Sequence, residues 1–177
     1  MSFFDSMKSL LNPEAKQETV AESSHKASRE PASYLLIIRH GRPDYGENPG
    51  NPRLLAGEAA YLQDRYQEFE DKLDQLDLQI LSSPLSRARE TAEAFQAALS
   101  PNAHLEIAEA SDLGGEEAIQ ERLQKGQVLV VVGHEPYAGT WLRHFAGQYR
   151  AFDKGDAALI AIDNEGKGRL IKYLKAH

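Results

Sequence analysis

Short, largely apolar runs recur along the chain and constrain its fold more than any other feature. Residues 34–38 and 128–132 are continuous apolar runs of the kind that forms strands buried on both faces. A shorter run follows the same pattern at 78–81. Between them, apolar residues recur at helical spacing over 57–76 and 84–99. Strands that alternate with helices are typical of a three-layer α/β/α sandwich with a mainly parallel mixed sheet, which we predict here.

The remaining segments complete this pattern. We predict a third strand over 104–108 and helices over 116–125 and 136–146. Two final strands, 157–162 and 169–174, follow as an antiparallel pair joined by a glycine-containing turn. The dipeptide Ser83-Pro84 predicts a helix N-cap followed by proline at the first helical position.

Composition limits the classes of function that the chain can have. Its 177 residues suffice for one ordinary domain, and its net charge of -7 disfavours nucleic acid as a partner. The absence of cysteine excludes disulfides, thiolate catalysis and thiolate metal sites. No apolar run approaches the ~18 residues of a membrane span, so none is predicted. The beginning of the sequence does not resemble a signal peptide, and we expect a cytoplasmic protein.

Residues 1–33 differ in composition from the rest of the chain. Phe3, Phe4, Met7, Leu10 and Leu11 have rough helical spacing, which allows one short helix. From 14 to 33 there is almost no large apolar side chain, so ordering this stretch would bury too little surface. We therefore predict a flexible leader over 1–33 and a single domain over 34–177.

Polar and basic residues follow three of the predicted strands at the point where each strand ends. The first strand is followed by Arg39, His40 and Gly41, the second leads to Arg87, and the strand at 128–132 is followed by His134. In parallel α/β sheets, ligands bind at the carboxyl ends of the strands. The sequence therefore predicts a crevice that holds two imidazoles and at least two guanidiniums.

These residue types suit phosphoryl transfer. Arginine presents permanently charged, forked donors that match phosphate oxygens. A nucleophilic imidazole must be neutral, and neighbouring guanidiniums favour the neutral form by lowering the pKa of the histidine. Attack on phosphorus would give a phosphohistidine, which water hydrolyses in a second step. A second histidine and the arginines can stabilise the transferring group, so we expect neither metal nor cofactor.

The motifs resemble those of the histidine phosphatase superfamily, which has the phosphoglycerate mutase-like fold. Arg39-His40-Gly41 is similar to its signature, residues 83–92 to its second motif, and Gly133-His134 to its third. The resemblance spans residue 34 to the end of the sequence and is greatest to the short bacterial phosphohistidine phosphatases. It implies that His40 is the nucleophile and that Arg39, Arg87 and His134 hold the phosphoryl group.

The group that protonates the leaving atom is a separate question. Glu109 follows the predicted third strand, where mutase-like relatives carry a catalytic carboxylate, and the resemblance makes it the candidate general acid. Asp112 is an alternative for the same role. Glu135 is adjacent to His134 and could instead orient that imidazole. Arg42 is expected to be solvated or ion-paired, although it could rim the cleft.

Three functions remain open at this point. The first is a metal-independent histidine phosphatase, an enzyme that dephosphorylates phosphohistidine in a protein through a covalent intermediate on His40. The second is the same chemistry on a small phosphorylated metabolite. The third is a catalytically silent phosphate-binding or regulatory module.

Overall fold

A computed structural model describes residues 31–108 and 115–177. This part of the chain contains one mixed sheet of six strands. The strands are β1 (Ser33–Arg39), β2 (Asp77–Ser82), β3 (His104–Ile107), β4 (Gln127–Gly133), β5 (Ala157–Ile162) and β6 (Gly168–Leu174). The helices are α1 (Glu58–Tyr66), α2 (Glu70–Leu73), α3 (Ser86–Leu99), α4 (Glu116–Arg122) and α5 (Tyr137–Ala146), with a 3-10 turn at Gln67–Phe69.

The strand order is β3-β2-β4-β1-β5-β6. The first four strands of this order are mutually parallel, whereas β5 and β6 are antiparallel to their neighbours. Arg39 pairs with Gly133, and Ser82 pairs with Val132, so β1, β4 and β2 reach their carboxyl ends at the same level. The predicted mainly parallel mixed sheet is confirmed.

The sheet buries apolar side chains on both faces, which gives the three predicted layers. On one face, Leu36 and Val130 pack against residues of α1 and α3, including Leu62 and Phe95. On the other face, β-strand residues pack against Trp141 and other residues of α5, together with part of α4. Strands covered on both sides explain why their sequences are continuous apolar runs rather than alternating ones.

Two predicted helices differ from the structure. The single helix predicted over 57–76 is divided by the 3-10 turn. A 3-10 turn places residues three apart on one face, and here both Tyr66 and Phe69 are fully buried. The helix predicted over 116–125 ends at Arg122.

The predicted helix start at Ser83-Pro84 is wrong. The helix α3 begins at Ser86, because Leu85 has an extended backbone with φ -64° and ψ 136°. The Ser83 hydroxyl accepts a hydrogen bond from the Leu85 N–H at 3.3 Å, which shapes the turn before the helix without capping it.

The predicted leader lies almost wholly outside the described residues and stays a prediction. The strand β1 begins at Ser33, one residue before the predicted start of the domain. Within the ranges described, no helix has the length and apolar character needed to cross a membrane.

Candidate active site

The candidate site lies at the carboxyl ends of β1, β2 and β4. The pairing of β1 with β4 continues past β1, since the His40 N–H donates to the Gly133 carbonyl at 3.0 Å. The Ser83 N–H likewise donates to the Val132 carbonyl at 3.1 Å. Because the three neighbouring strands end together, the side chains that follow them share one crevice.

The imidazole of His40 has a defined tautomer. Its Nδ1 lies 2.7 Å from the Gly41 carbonyl oxygen, which can only accept, so Nδ1 carries the proton. Its Nε2 lies 3.3 Å from Arg87 Nε, which can only donate, so Nε2 presents a lone pair. The residue is 5% exposed. His40 therefore has an unprotonated nitrogen next to a guanidinium.

Burial keeps His40 neutral. It is the largest cause that lowers the pKa of His40 to about 3, and the hydrogen bond to Gly41 opposes it. The charges of His134, Arg87 and Arg39 lower the pKa of His40 further. The sequence led us to expect that the arginines would be the main cause, but desolvation of the charged imidazolium is larger.

His134 follows β4, the strand that pairs with β1, and so lies next to His40. The ring centroids of His40 and His134 are 5.1 Å apart. The Nε2 atom of His134 lies 2.8 Å from the Ser83 hydroxyl oxygen. Burial, followed by the charges of Arg87 and Arg39, lowers the pKa of His134 to about 4.

The guanidinium of Arg39 is held by the main chain. Its Nη1 donates to the Phe152 carbonyl at 2.6 Å. Its Nε is buried and has no hydrogen-bond partner within the residues described. Because Arg39 depresses the pKa of both His40 and His134, its charge acts at the same crevice. The structure thus brings together the four residues that the strand ends suggested.

The loop after His40 is hydrogen-bonded to helix α3 and packs closely against helix α1. The Gly41 N–H donates to Thr91 Oγ1 at 2.9 Å, and the Thr91 hydroxyl donates to the Arg87 carbonyl at 2.7 Å. A Cβ at Gly41 would lie 2.6 Å from Leu62 Cδ1, so the close approach requires glycine. One threonine therefore joins the loop that follows His40 to the helical turn that carries Arg87.

Arg42 is ion-paired, as expected from the sequence. Its Nε and Nη2 donate to Oε2 of the buried Glu58 at 2.9 and 2.8 Å, and its backbone N–H donates to Oε1 at 2.9 Å. Burial raises the pKa of Glu58, but the hydrogen bonds from Arg42 and His177 outweigh it and lower that pKa overall. The guanidinium of Arg42 is thereby compensated by a carboxylate.

The structure describes some of the remaining charged residues near the site and not others. Arg87 does not pair with Glu90, whose carboxylate instead accepts from Arg53 Nε at 2.6 Å and from the Leu54 N–H at 2.7 Å. Glu109 and Asp112, the candidate general acids, lie outside the described residues, and their role stays a prediction.

Glu135 does not orient His134, as the sequence suggested it could. Its carboxylate accepts from the Phe152 N–H at 2.6 Å and from the Gly139 N–H at 3.2 Å. The side chains of His134 and Glu135, although adjacent in sequence, therefore have different partners. The hydroxyl of Ser83 takes the place against His134 that Glu135 was expected to occupy.

Sequence reasoning missed three groups that shape the site. Ser83 and Thr91 lie inside the second motif, but their hydroxyls have no signature that distinguishes them from capping or surface groups. The Phe152 carbonyl belongs to the main chain and has no signal in the sequence at all.

Sequence comparisons with known proteins identify a relative of this chain. No protein-family model matches the chain. An uncharacterized protein of Picosynechococcus is 37% identical over 124 residues, which cover 63% of this chain and 72% of that protein.

Solved structures with the same fold include several histidine phosphatases. The protein histidine phosphatase SixA complexed with tungstate has a TM-score of 0.67 at 17% identity, covering 81% of this chain and 97% of its own. A SixA from Agrobacterium tumefaciens has a TM-score of 0.62 at 23% identity, covering 83% and 99%. The alpha-ribazole phosphatase from Shigella flexneri has a TM-score of 0.57 at 16% identity, covering 80% and 96%. The chain therefore belongs to the same family as the Picosynechococcus protein, and its fold is the phosphoglycerate mutase-like fold of the histidine phosphatase superfamily.

Proposed function

We propose that this chain is a phosphatase that transfers a phosphoryl group to His40 Nε2 and then to water. The observation that carries the proposal is the tautomer of His40. The Gly41 carbonyl holds the proton on Nδ1, and the opposite nitrogen presents its lone pair beside Arg87. With a pKa of about 3, this imidazole needs no separate base to become nucleophilic at neutral pH.

In the first step, the Nε2 lone pair forms a bond to phosphorus while the bond from phosphorus to the leaving atom breaks. The hydrogen bond from Arg87 to Nε2 is exchanged for one to a phosphoryl oxygen. The imidazole becomes a cation when it is phosphorylated, and the hydrogen bond from Nδ1 to the Gly41 carbonyl stabilises that charge.

In the second step, water attacks phosphorus, the N–P bond breaks and its electron pair returns to Nε2. Arg39, Arg87 and His134 surround the transferring group and offer donors to its oxygens. These donors supply the charge stabilisation for which other phosphatases use a metal, so the proposed reaction is metal-independent.

The substrate that we propose is a phosphohistidine in a protein. The relative SixA is named a protein histidine phosphatase, and its fold matches along most of this chain. An imidazole leaves readily once it is protonated, so this substrate depends less on a strong general acid than an alkyl phosphate does.

A phosphorylated metabolite is the second candidate substrate, because an alpha-ribazole phosphatase also shares the fold. An alkoxide leaving group needs a proton donor, and Glu109 is the carboxylate proposed for that role. Comparing kcat/KM on a phosphohistidine-containing protein with kcat/KM on a panel of phosphorylated metabolites separates the two. Turnover of metabolites alone would overturn the proposed substrate class.

Trapping the covalent intermediate tests the enzyme itself. Radiolabelled substrate followed by an alkaline quench should leave label on the wild-type protein and none on His40→Gln. His104→Gln is the matched control, since His104 is an exposed residue at the start of β3. Absence of label on the wild type, with no activity on either substrate class, would identify a silent phosphate-binding module instead.

A further inference from the structure

We propose that Glu135 is a positioning residue for Arg39, acting through the main chain of Phe152, and not an orienting partner of His134. The inference deepens the proposed function, since it rests on the phosphoryl pocket described above. It assigns a purpose to a carboxylate that is next to a pocket histidine in sequence but does not contact its ring.

Among the described residues, the guanidinium of Arg39 has one hydrogen-bonded anchor. Its hydrogen bond to the Phe152 carbonyl is 2.6 Å long and joins residues 113 positions apart. Its Nε lies buried without a partner among the residues that the structure describes. Since the anchor is a loop carbonyl, the position of the guanidinium depends on what holds that loop.

Glu135 holds the loop. Its Oε1 accepts the Phe152 N–H at 2.6 Å, and its Oε2 accepts the Gly139 N–H at 3.2 Å, in the first turn of α5. The two polar groups of Phe152 therefore point to Glu135 and to Arg39 respectively. The Glu135 carboxylate thus joins the loop to helix α5 by hydrogen bonds, and the loop carbonyl holds the guanidinium of Arg39 at the crevice.

Packing at the same place supports this role. A Cβ at Gly139 would lie 2.9 Å from the Arg150 carbonyl oxygen and 3.0 Å from Tyr149 Cε2, so loop and helix are in direct contact there. The side chain of Phe152 is 1% exposed and its ring lies 5.3 Å from that of Tyr173. The loop is thus fixed by apolar packing on one side and by Glu135 on the other.

A double-mutant cycle measured by tungstate binding tests the proposal. Isothermal titration of tungstate should give a dissociation constant about tenfold higher for Glu135→Ala than for the wild type, the size of one hydrogen bond to a charged group. In an Arg39→Lys background, Glu135→Ala should cause little further loss, because both changes remove the same contribution. In a His134→Ala background, the tenfold effect of Glu135→Ala should persist.

The opposite pattern overturns the proposal. If the effects of Glu135→Ala and Arg39→Lys are additive while those of Glu135→Ala and His134→Ala are not, Glu135 acts through the histidine. Glu135→Gln, which keeps the side-chain volume, is the variant to use if Glu135→Ala does not fold, and it should show a smaller loss of the same pattern. Glu117→Gln on α4 is the matched control and should bind like the wild type.

A second measurement needs no ligand. The Nε–H signal of Arg39 in a nitrogen-15 spectrum, assigned by its loss in Arg39→Lys, should shift and exchange faster in Glu135→Gln but not in Glu117→Gln. An unchanged signal would count against the proposal. Tungstate binding without turnover would overturn only the proposed activity, whereas absence of tungstate binding by the wild type would overturn the pocket on which both depend.

Discussion

At the scale of single residues, the proposed chemistry depends on how the fold keeps His40 neutral. The residue is almost wholly buried, and its two ring nitrogens contact one obligate acceptor and one obligate donor. Burial lowers the pKa of His40 more than any single nearby charge does. The proposed nucleophile should therefore stay unprotonated over a wider pH range than an imidazole with an ordinary pKa near 6.5 would.

We predict that kcat/KM has its acid limb near pH 3 and not near pH 6.5. A histidine with a lowered pKa loses its lone pair only when the pH falls through that value, so the neutral form dominates above about pH 4. A pH profile, corrected for the ionisation of the substrate, measures this.

The ring signals of His40 provide the control for that profile. They should be constant from pH 8 to about pH 4 in a proton spectrum, with His40→Gln used to assign them. A titration of His40 centred near pH 6.5 would contradict the prediction and would mean that the imidazole is not desolvated in solution.

At the scale of elements, helix α3 connects the two halves of the pocket. Thr91 accepts the Gly41 N–H and donates to the Arg87 carbonyl one helical turn earlier. The loop after His40 and the helical turn that carries Arg87 are therefore joined through one side chain. This connection crosses 50 residues of sequence and is made by one fully buried hydroxyl.

Thr91→Val should destabilise the protein by about 1–3 kcal/mol, because it leaves the buried Gly41 N–H without an acceptor. It should also lower kcat, since the loop that carries His40 loses its tie to α3. Urea unfolding and steady-state kinetics measure the two effects. Thr140→Val is the matched control. The Thr140 hydroxyl also donates a hydrogen bond to a carbonyl one turn earlier, at 3.0 Å, but it accepts no hydrogen bond within the described residues. Equal effects of the two substitutions would contradict the role of Thr91.

At the scale of the whole molecule, Asp156 joins the antiparallel part of the sheet to the pocket. Its buried carboxylate accepts from Tyr173 at 2.7 Å, from the Asp153 N–H at 3.0 Å and from the Ala176 N–H at 2.9 Å. Its own carbonyl accepts the Arg39 N–H at 3.0 Å. Residues on and after β6 are thus held beside β1, the strand that ends at Arg39.

Asp156→Asn should lower the free energy of unfolding by about 1–3 kcal/mol, because an amide cannot accept all three hydrogen bonds. Urea unfolding followed by circular dichroism measures the loss. Asp153→Asn is the control. Within the part of the chain that the structure describes, the exposed Asp153 carboxylate makes only a surface ion pair with Lys175, so the change should alter stability by less than about 1 kcal/mol. An Asp156→Asn protein as stable as the wild type would show that these hydrogen bonds contribute little to the free energy of unfolding.

The sequence predicted the fold well because the information about it is local. Buried strands flanked on both sides by helices produce continuous apolar runs, and helices produce a regular spacing, wherever the neighbours lie. Errors arose where tertiary contacts decided the outcome. The helix α3 begins at Ser86, after a turn whose Ser83 hydroxyl contacts His134, and the helix predicted over 57–76 is interrupted where Tyr66 and Phe69 are buried.

The sequence by itself determined which residues could do the chemistry, namely His40, His134, Arg39 and Arg87. Each lies at or after the end of a strand, and the sheet topology places those strand ends at one edge. Only the tertiary structure decided how they are held. Glu135 reaches Phe152 and not its neighbour His134, and a carbonyl 113 positions away holds Arg39. The physical reason is that main-chain donors and acceptors are the same at every residue, so their pairing depends on where the chain returns and leaves no mark in the sequence.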